Sequence, residues 1–95
     1  MKARIYFESH ITVDAGEDWD HFVTTVPSVF RCSRFDDDLV DNYNGKWFCS
    51  SRSDDYFVIT NHIRNTLDIL KEAGYNVIRW KIEDTLLDSK YGSVL

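Results

Sequence analysis

Two stretches near the ends of the chain carry titratable side chains at every second position. Residues 5–13 read Ile-Tyr-Phe-Glu-Ser-His-Ile-Thr-Val, and residues 77–83 read Val-Ile-Arg-Trp-Lys-Ile-Glu. Apolar and polar residues largely alternate in both, the mark of a strand buried on one face only. The first strand hides Ile5, Phe7, Ile11 and Val13 and presents Tyr6, Glu8, His10 and Thr12. The late strand hides Ile78, Trp80 and Ile82 and presents Arg79, Lys81 and Glu83. An imidazole, carboxylates and cations on one surface suit an anionic ligand, acid–base work at His10 or, given a third ligand, a metal ion. The surface locates function without naming the chemistry.

The intervening chain supplies the elements that hold these strands. Asp14-Ala15-Gly16-Glu17-Asp18 is a turn, after which Trp19, Phe22, Val23 and Val26 recur at helical spacing until Pro27 stops them. Ser28 to Phe35 reads as a strand, with Phe30, Cys32 and Arg34 on one face and Val29, Arg31, Ser33 and Phe35 on the other. Lys46 to Arg52 is the next strand. A long polar loop over residues 36–45 would set Cys32 opposite Cys49 and Arg34 opposite Trp47. A two-residue turn at Asn44-Gly45 would instead pair Leu39 to Tyr43, and Asp36-Asp37-Asp38 argues for the long loop. Ser53 then serves as helix N-cap, Asp54 and Asp55 complement the helix dipole, and Gly74 closes the helix. Its apolar stripe is Tyr56, Ile59, Ile63, Leu67, Leu70 and Ala73.

The order is strand, helix, strand, strand, helix, strand. It predicts an α+β ferredoxin-like βαββαβ sandwich, a four-stranded antiparallel sheet with two helices on one face. At 95 residues the chain is one domain. A C-terminal tail, residues 85–95, carries Leu86, Leu87, Tyr91, Val94 and Leu95 and is apolar enough to dock. The first strand is central and antiparallel to the last, so Glu8 and His10 lie beside Arg79, Lys81 and Glu83 on the open face. Phe48, Ser50 and Arg52 join from the third strand, and Arg31 and Phe35 from the second. Aromatics among cations can stack a base and hold a phosphate. The plainer alternative is a solubilised sheet with cross-strand ion pairs such as Glu8 with Lys81. Trp80 and Phe7 are expected to be buried on the helix side.

Other chemistries find less support. The four glycines sit singly at turns, so no phosphate-binding loop is present. Ser9 and His10 are neighbours in a strand and point to opposite faces, which excludes them as a nucleophile–base pair. A metal would need His10, Glu8 and a third ligand such as Glu83, with Arg79 and Lys81 opposing a cation. Neither a metal nor a cofactor is therefore expected. His21 and His62 fall on helices and read as surface residues. Cys32 and Cys49 have no metal-ligand spacing and read as buried thiols.

The formal charge of −5 disfavours non-specific nucleic-acid binding. No apolar run approaches the roughly 20 residues that span a bilayer. The first residues lack a signal peptide's apolar stretch, so a cytoplasmic location without membrane partners is expected.

Three partial resemblances bear on these residues. Ile5-Tyr6-Phe7 is similar to the start of the first-strand motif of RNA-recognition domains, but Lys46 to Arg52 lacks the glycine and aromatic spacing of the companion motif. His10-Ile11-Thr12-Val13 resembles the His-x-Thr element of the 2H phosphoesterases, which implies His10 as general acid–base and Thr12 as a phosphate ligand. That family carries two such elements; this chain has one and would act as a homodimer. The Glu-Ser-His-Ile-Thr-Val strand with the late Lys-Ile-Glu strand resembles small uncharacterised prokaryotic and phage proteins, which implies the architecture and no activity. Taken together, the residues point to a non-enzymatic binding or regulatory module, such as a phage- or mobile-element-encoded modulator of a host protein. The open face, through Tyr6, Glu8, His10, Phe48, Arg52, Arg79, Lys81 and Glu83, would take a protein partner or a small anionic or nucleotide ligand. The alternative is a half-size 2H-like phosphodiesterase or nucleotide-binding protein acting as a homodimer. Self-association through the open face or the tail is also expected.

Overall fold

The computed structural model describes residues 5–34 and 45–86. They form β1 (Ile5–Asp14), α1 (Trp19–Thr25), β2 (Arg31–Arg34), β3 (Lys46–Ser53), α2 (Tyr56–Glu72) and β4 (Val77–Leu86). The four strands make one antiparallel sheet in the order β2-β3-β1-β4. Both helices cover one face, the ferredoxin-like α+β sandwich anticipated from the element order.

Local chemistry sets the helix ends. Asp18 caps α1 by accepting the His21 N–H at 3.1 Å, and Pro27 lies just beyond the helix, where it cannot supply a donor. For α2 the cap is Asp55 rather than Ser53. The Asp55 carboxylate accepts from the Phe57 and Val58 N–H groups, while the Ser53 hydroxyl accepts from the Asp55 N–H. Capping therefore acts two residues later than expected, because Ser53 is still held in β3. At the other end Gly74 takes φ +91°, and the Gly74 and Tyr75 N–H groups donate to the Lys71 and Leu70 carbonyls. This six-to-one, five-to-two closure satisfies the last carbonyls and requires the left-handed conformation that glycine tolerates.

The core lies between helices and sheet. Ile11 and Val13 of β1, Trp47 and Cys49 of β3, Phe22 of α1 with Val26 just after it, and Ile63 and Leu70 of α2 are buried together with Phe30. Phe22 sits among three aromatic rings, Trp19, Trp47 and Tyr75, with centroids 5.3–5.6 Å away. The β2–β3 register pairs Cys32 with Cys49 and Arg34 with Trp47, as the long-loop reading requires. Arg34 points to the helix side and lies over the Trp19 ring at 4.7 Å.

Several expectations are corrected. β2 starts at Arg31, not Ser28, because the Phe30 N–H closes a turn onto the Pro27 carbonyl. β4 runs to Leu86, so residues 85 and 86 belong to the sheet. Tyr56 and Ala73 are exposed, and Thr66 replaces them in the buried face of α2 with Ile59, Ile63 and Leu70. Phe7 is only half-buried, packed edge-to-face on Tyr56. Trp80 shares a row with buried Ile11 on the helix side, yet it is 52% exposed. β4 is the sheet edge, and there the covering layer is incomplete. Ile78 is exposed as well, since Thr12 pairs with Arg79 and Val13 with Val77, leaving Ile78 as the extra residue of a bulge. The expectations for Phe35, the side chains of Ile5 and Leu86, and the tail from Leu87 onward lie outside the described residues.

Candidate functional site

The strand registers fix the open face row by row. In one row Arg31, Ser50, His10 and Lys81 lie side by side across β2, β3, β1 and β4. A second row reads Ser33, Phe48, Thr12 and Arg79. The third sets Glu8 between Arg52 and Glu83, and beyond it Tyr6 pairs with Thr85. Tyr6, Glu8, His10, Phe48, Arg52, Arg79, Lys81 and Glu83 therefore share one surface, with Arg31 and Ser50 among them.

The charges are arranged differently from the pairing anticipated. Glu8 stands opposite Glu83 rather than Lys81, a like-charge cross-strand pair that is unfavourable by itself. Each carboxylate finds compensation elsewhere. Glu83 reaches His10 Nε2 through Oε1 at 2.9 Å and Lys81 Nζ through Oε2 at 3.3 Å. Glu8 Oε2 lies 3.7 Å from Arg52, whose guanidinium also sits 4.6 Å over the Tyr6 ring. The approach of His10 to Glu83 is close but not an aligned hydrogen bond: Nε2 is shut off from solvent and has no hydrogen-bond partner among the described residues. Donor atoms of Glu8, His10 and Glu83 all lie within 4.8 Å of one another. Arg31 and Arg79, in contrast, are exposed and form no ion pair among the described residues. Each stands opposite a hydroxyl, Ser50 and Thr12 respectively.

On the helix side, sequence reasoning missed a polar chain. Ser9 Oγ and Ser51 Oγ are 2.5 Å apart, and Ser51 Oγ lies 3.1 Å from His62 Nδ1. Both serines are buried and His62 is half-buried, so His62 is not the surface residue expected of it. The signal was available: Ser9 interrupts the inward series Phe7, Ile11, Val13, and a buried hydroxyl demands a partner. The three groups satisfy one another between β1, β3 and α2. His21, on α1, is exposed and hydrogen-bonds through Nδ1 with the Tyr75 hydroxyl at 2.7 Å. Burial raises the Tyr75 phenol, helped by nearby Asp18.

Cys32 and Cys49 face one another as free thiols. Burial pushes the Cys49 thiol up to about 12, with Cys32 adding to the shift, and burial raises Cys32 too. Neither is an activated nucleophile.

No protein-family profile, curated protein or solved structure matches the chain. Among the described residues no helix is long and apolar enough to cross a membrane.

Proposed function

We propose that this protein is a non-enzymatic binding module whose open sheet face holds an anionic group of a partner protein or a nucleotide-like ligand. The observation that carries this reading is the pair of cation–hydroxyl couples, Arg31 with Ser50 and Arg79 with Thr12, in the two rows that follow the Glu8–Glu83 row along the open face. A guanidinium with no ion pair among the described residues, set beside a hydroxyl, offers charge-assisted donors to a phosphate or carboxylate. Phe48, between Ser33 and Thr12 in the same row, adds an aromatic surface. A phage- or mobile-element-encoded modulator of a host protein, working in the cytoplasm, is the setting that fits a small acidic domain with such a face.

The test is a panel of linear and cyclic oligonucleotides and phosphopeptides, with metal chelated. Replacing Arg79 and Lys81 together should abolish retention, and Arg31→Ala should weaken it. His10→Ala should cost only about 0.5–1.5 kcal/mol, the net worth of an ordinary hydrogen bond. A 2H-like phosphodiesterase would respond otherwise, losing roughly 10²–10⁴ in rate in His10→Ala with substrate binding kept. Cleavage that vanishes in His10→Ala would overturn the binding-module reading in favour of that enzyme.

A second reading, self-association, is favoured by β4. This ten-residue edge strand carries exposed Ile78 and Trp80 beside alternating charges. Antiparallel pairing of two β4 strands about Ile82 would set Lys81 of one copy opposite Glu83 of the other, twice, and remove the exposed edge. Light scattering should give the dimer mass, shifting to monomer on Trp80→Ala or Lys81→Glu. Monomer mass for the parent chain across a wide concentration range would exclude this interface.

A further inference from the structure

We infer that Glu8, His10 and Glu83 form a binding site for a divalent first-row transition metal of the zinc class. The inference goes beyond the anion-binding reading, which does not need it. Glu8 and His10 are two apart on β1 and so project from the same face, and Glu83 is the direct cross-strand neighbour of Glu8. Three donors thus come from two adjacent central and edge strands whose register is fixed by backbone pairing. Their ligating atoms lie within 4.8 Å of one another. Bonds of about 2.0–2.2 Å to a shared ion bring such atoms to about 3–3.6 Å, a change that side-chain rotation supplies without moving the sheet.

The state of His10 gives the argument its independent support. Its Nε2 is shielded from water and has no aligned hydrogen bond, although it stands 2.9 Å from Glu83 Oε1. An imidazole nitrogen so placed, beside the Glu83 carboxylate, lacks the aligned hydrogen-bond partner among the described residues that shielded polar atoms normally have. A cation would satisfy it and would also relieve the repulsion of Glu8 facing Glu83.

The nearby positive charges do not fill the site. Lys81 takes Oε2 of Glu83, leaving Oε1 turned to His10. Arg52 touches Glu8 only at 3.7 Å and is steadied over Tyr6. Arg79 is one row away, opposite Thr12. One imidazole with two carboxylates suits zinc or cobalt, and three protein ligands leave a coordination position for water or an anion.

Calorimetric titration of the purified, chelator-treated chain with Zn²⁺, and separately with Co²⁺ followed by visible absorption, tests the site. One ion per chain is expected, without the near-ultraviolet charge-transfer band of a cobalt–thiolate bond. His10→Ala and Glu83→Gln should each weaken binding by roughly tenfold or more. His21→Ala and Cys32→Ser should leave it unchanged. Circular dichroism of each variant separates lost ligation from lost folding, and His10→Gln gives a second, milder probe at the same position. No binding at millimolar metal, or binding unaffected by Glu83→Gln in a folded variant, would overturn the inference. Either failure leaves the chelated anion-binding experiment standing, so the two readings fail separately.

Discussion

Phe22→Ala is expected to lower the unfolding free energy by about 3–5 kcal/mol in a urea melt. The ring is fully buried and touches Trp19, Trp47 and Tyr75, which come from α1, β3 and the loop entering β4. Three neighbours anchored in different elements cannot all collapse into the space left behind, so the transfer loss is joined by a cavity term. A domain of this size has on the order of 5–15 kcal/mol in total, so the variant should lose a large part of its stability. A loss below about 1.5 kcal/mol would mean that the aromatic cluster is not packed as described.

Stability should also fall steeply in alkali because of Cys49. Its thiol is raised from 9.0 to about 12 in the folded protein, first by burial and then by Cys32. Between those values the unfolded chain has released the proton and the folded chain retains it. The unfolded state therefore binds fewer protons, and the unfolding free energy decreases as pH rises. The contribution is fully present below pH 9 and is lost progressively towards pH 12; by pH 11 the loss is about 2–3 kcal/mol. Burial of Cys32 and Tyr75 acts in the same direction. Urea melts from pH 8 to 11 should show the decline, and Cys49→Ala, starting from a lower baseline, should show a shallower one. Equal slopes in parent and variant would remove Cys49 as the cause.

The open face owes its membership to local sequence and its chemistry to register. Period-two alternation placed Tyr6, Glu8, His10 and Thr12 on one side of β1, and Arg79, Lys81 and Glu83 on one side of β4, because side-chain direction in a strand is set by parity alone. Which residue meets which across the strands depends on a bulge at Ile78, a feature that no side-chain pattern announces. It is the register that set Glu8 opposite Glu83 rather than Lys81, bringing two carboxylates to one imidazole.

Element order and the closing Gly74 were legible for the same local reasons, whereas the α2 N-cap fell at Asp55 and not at Ser53, which pairing holds in β3. Asp18 and Asp55 can cap only where their carboxylates meet free N–H groups, and Gly74 closes α2 because few other residues accept φ +91°. Trp80 marks where local reasoning stops. Its parity puts it on the helix side, and that much the sequence determines by itself. Its exposure follows from β4 being an edge strand, which depends on how the chain pairs over long range. Ser9 and His62 teach the converse. A serine at an inward position and a histidine on a helix look unrelated in sequence, and only packing α2 onto β3 joins them through Ser51. Parity and the glycine closure of α2 act within a few residues and are written in the chain; coverage, register, polar pairing and where β3 gives way to the α2 cap are cooperative properties of the assembled sheet and helices, and the tertiary structure decides them.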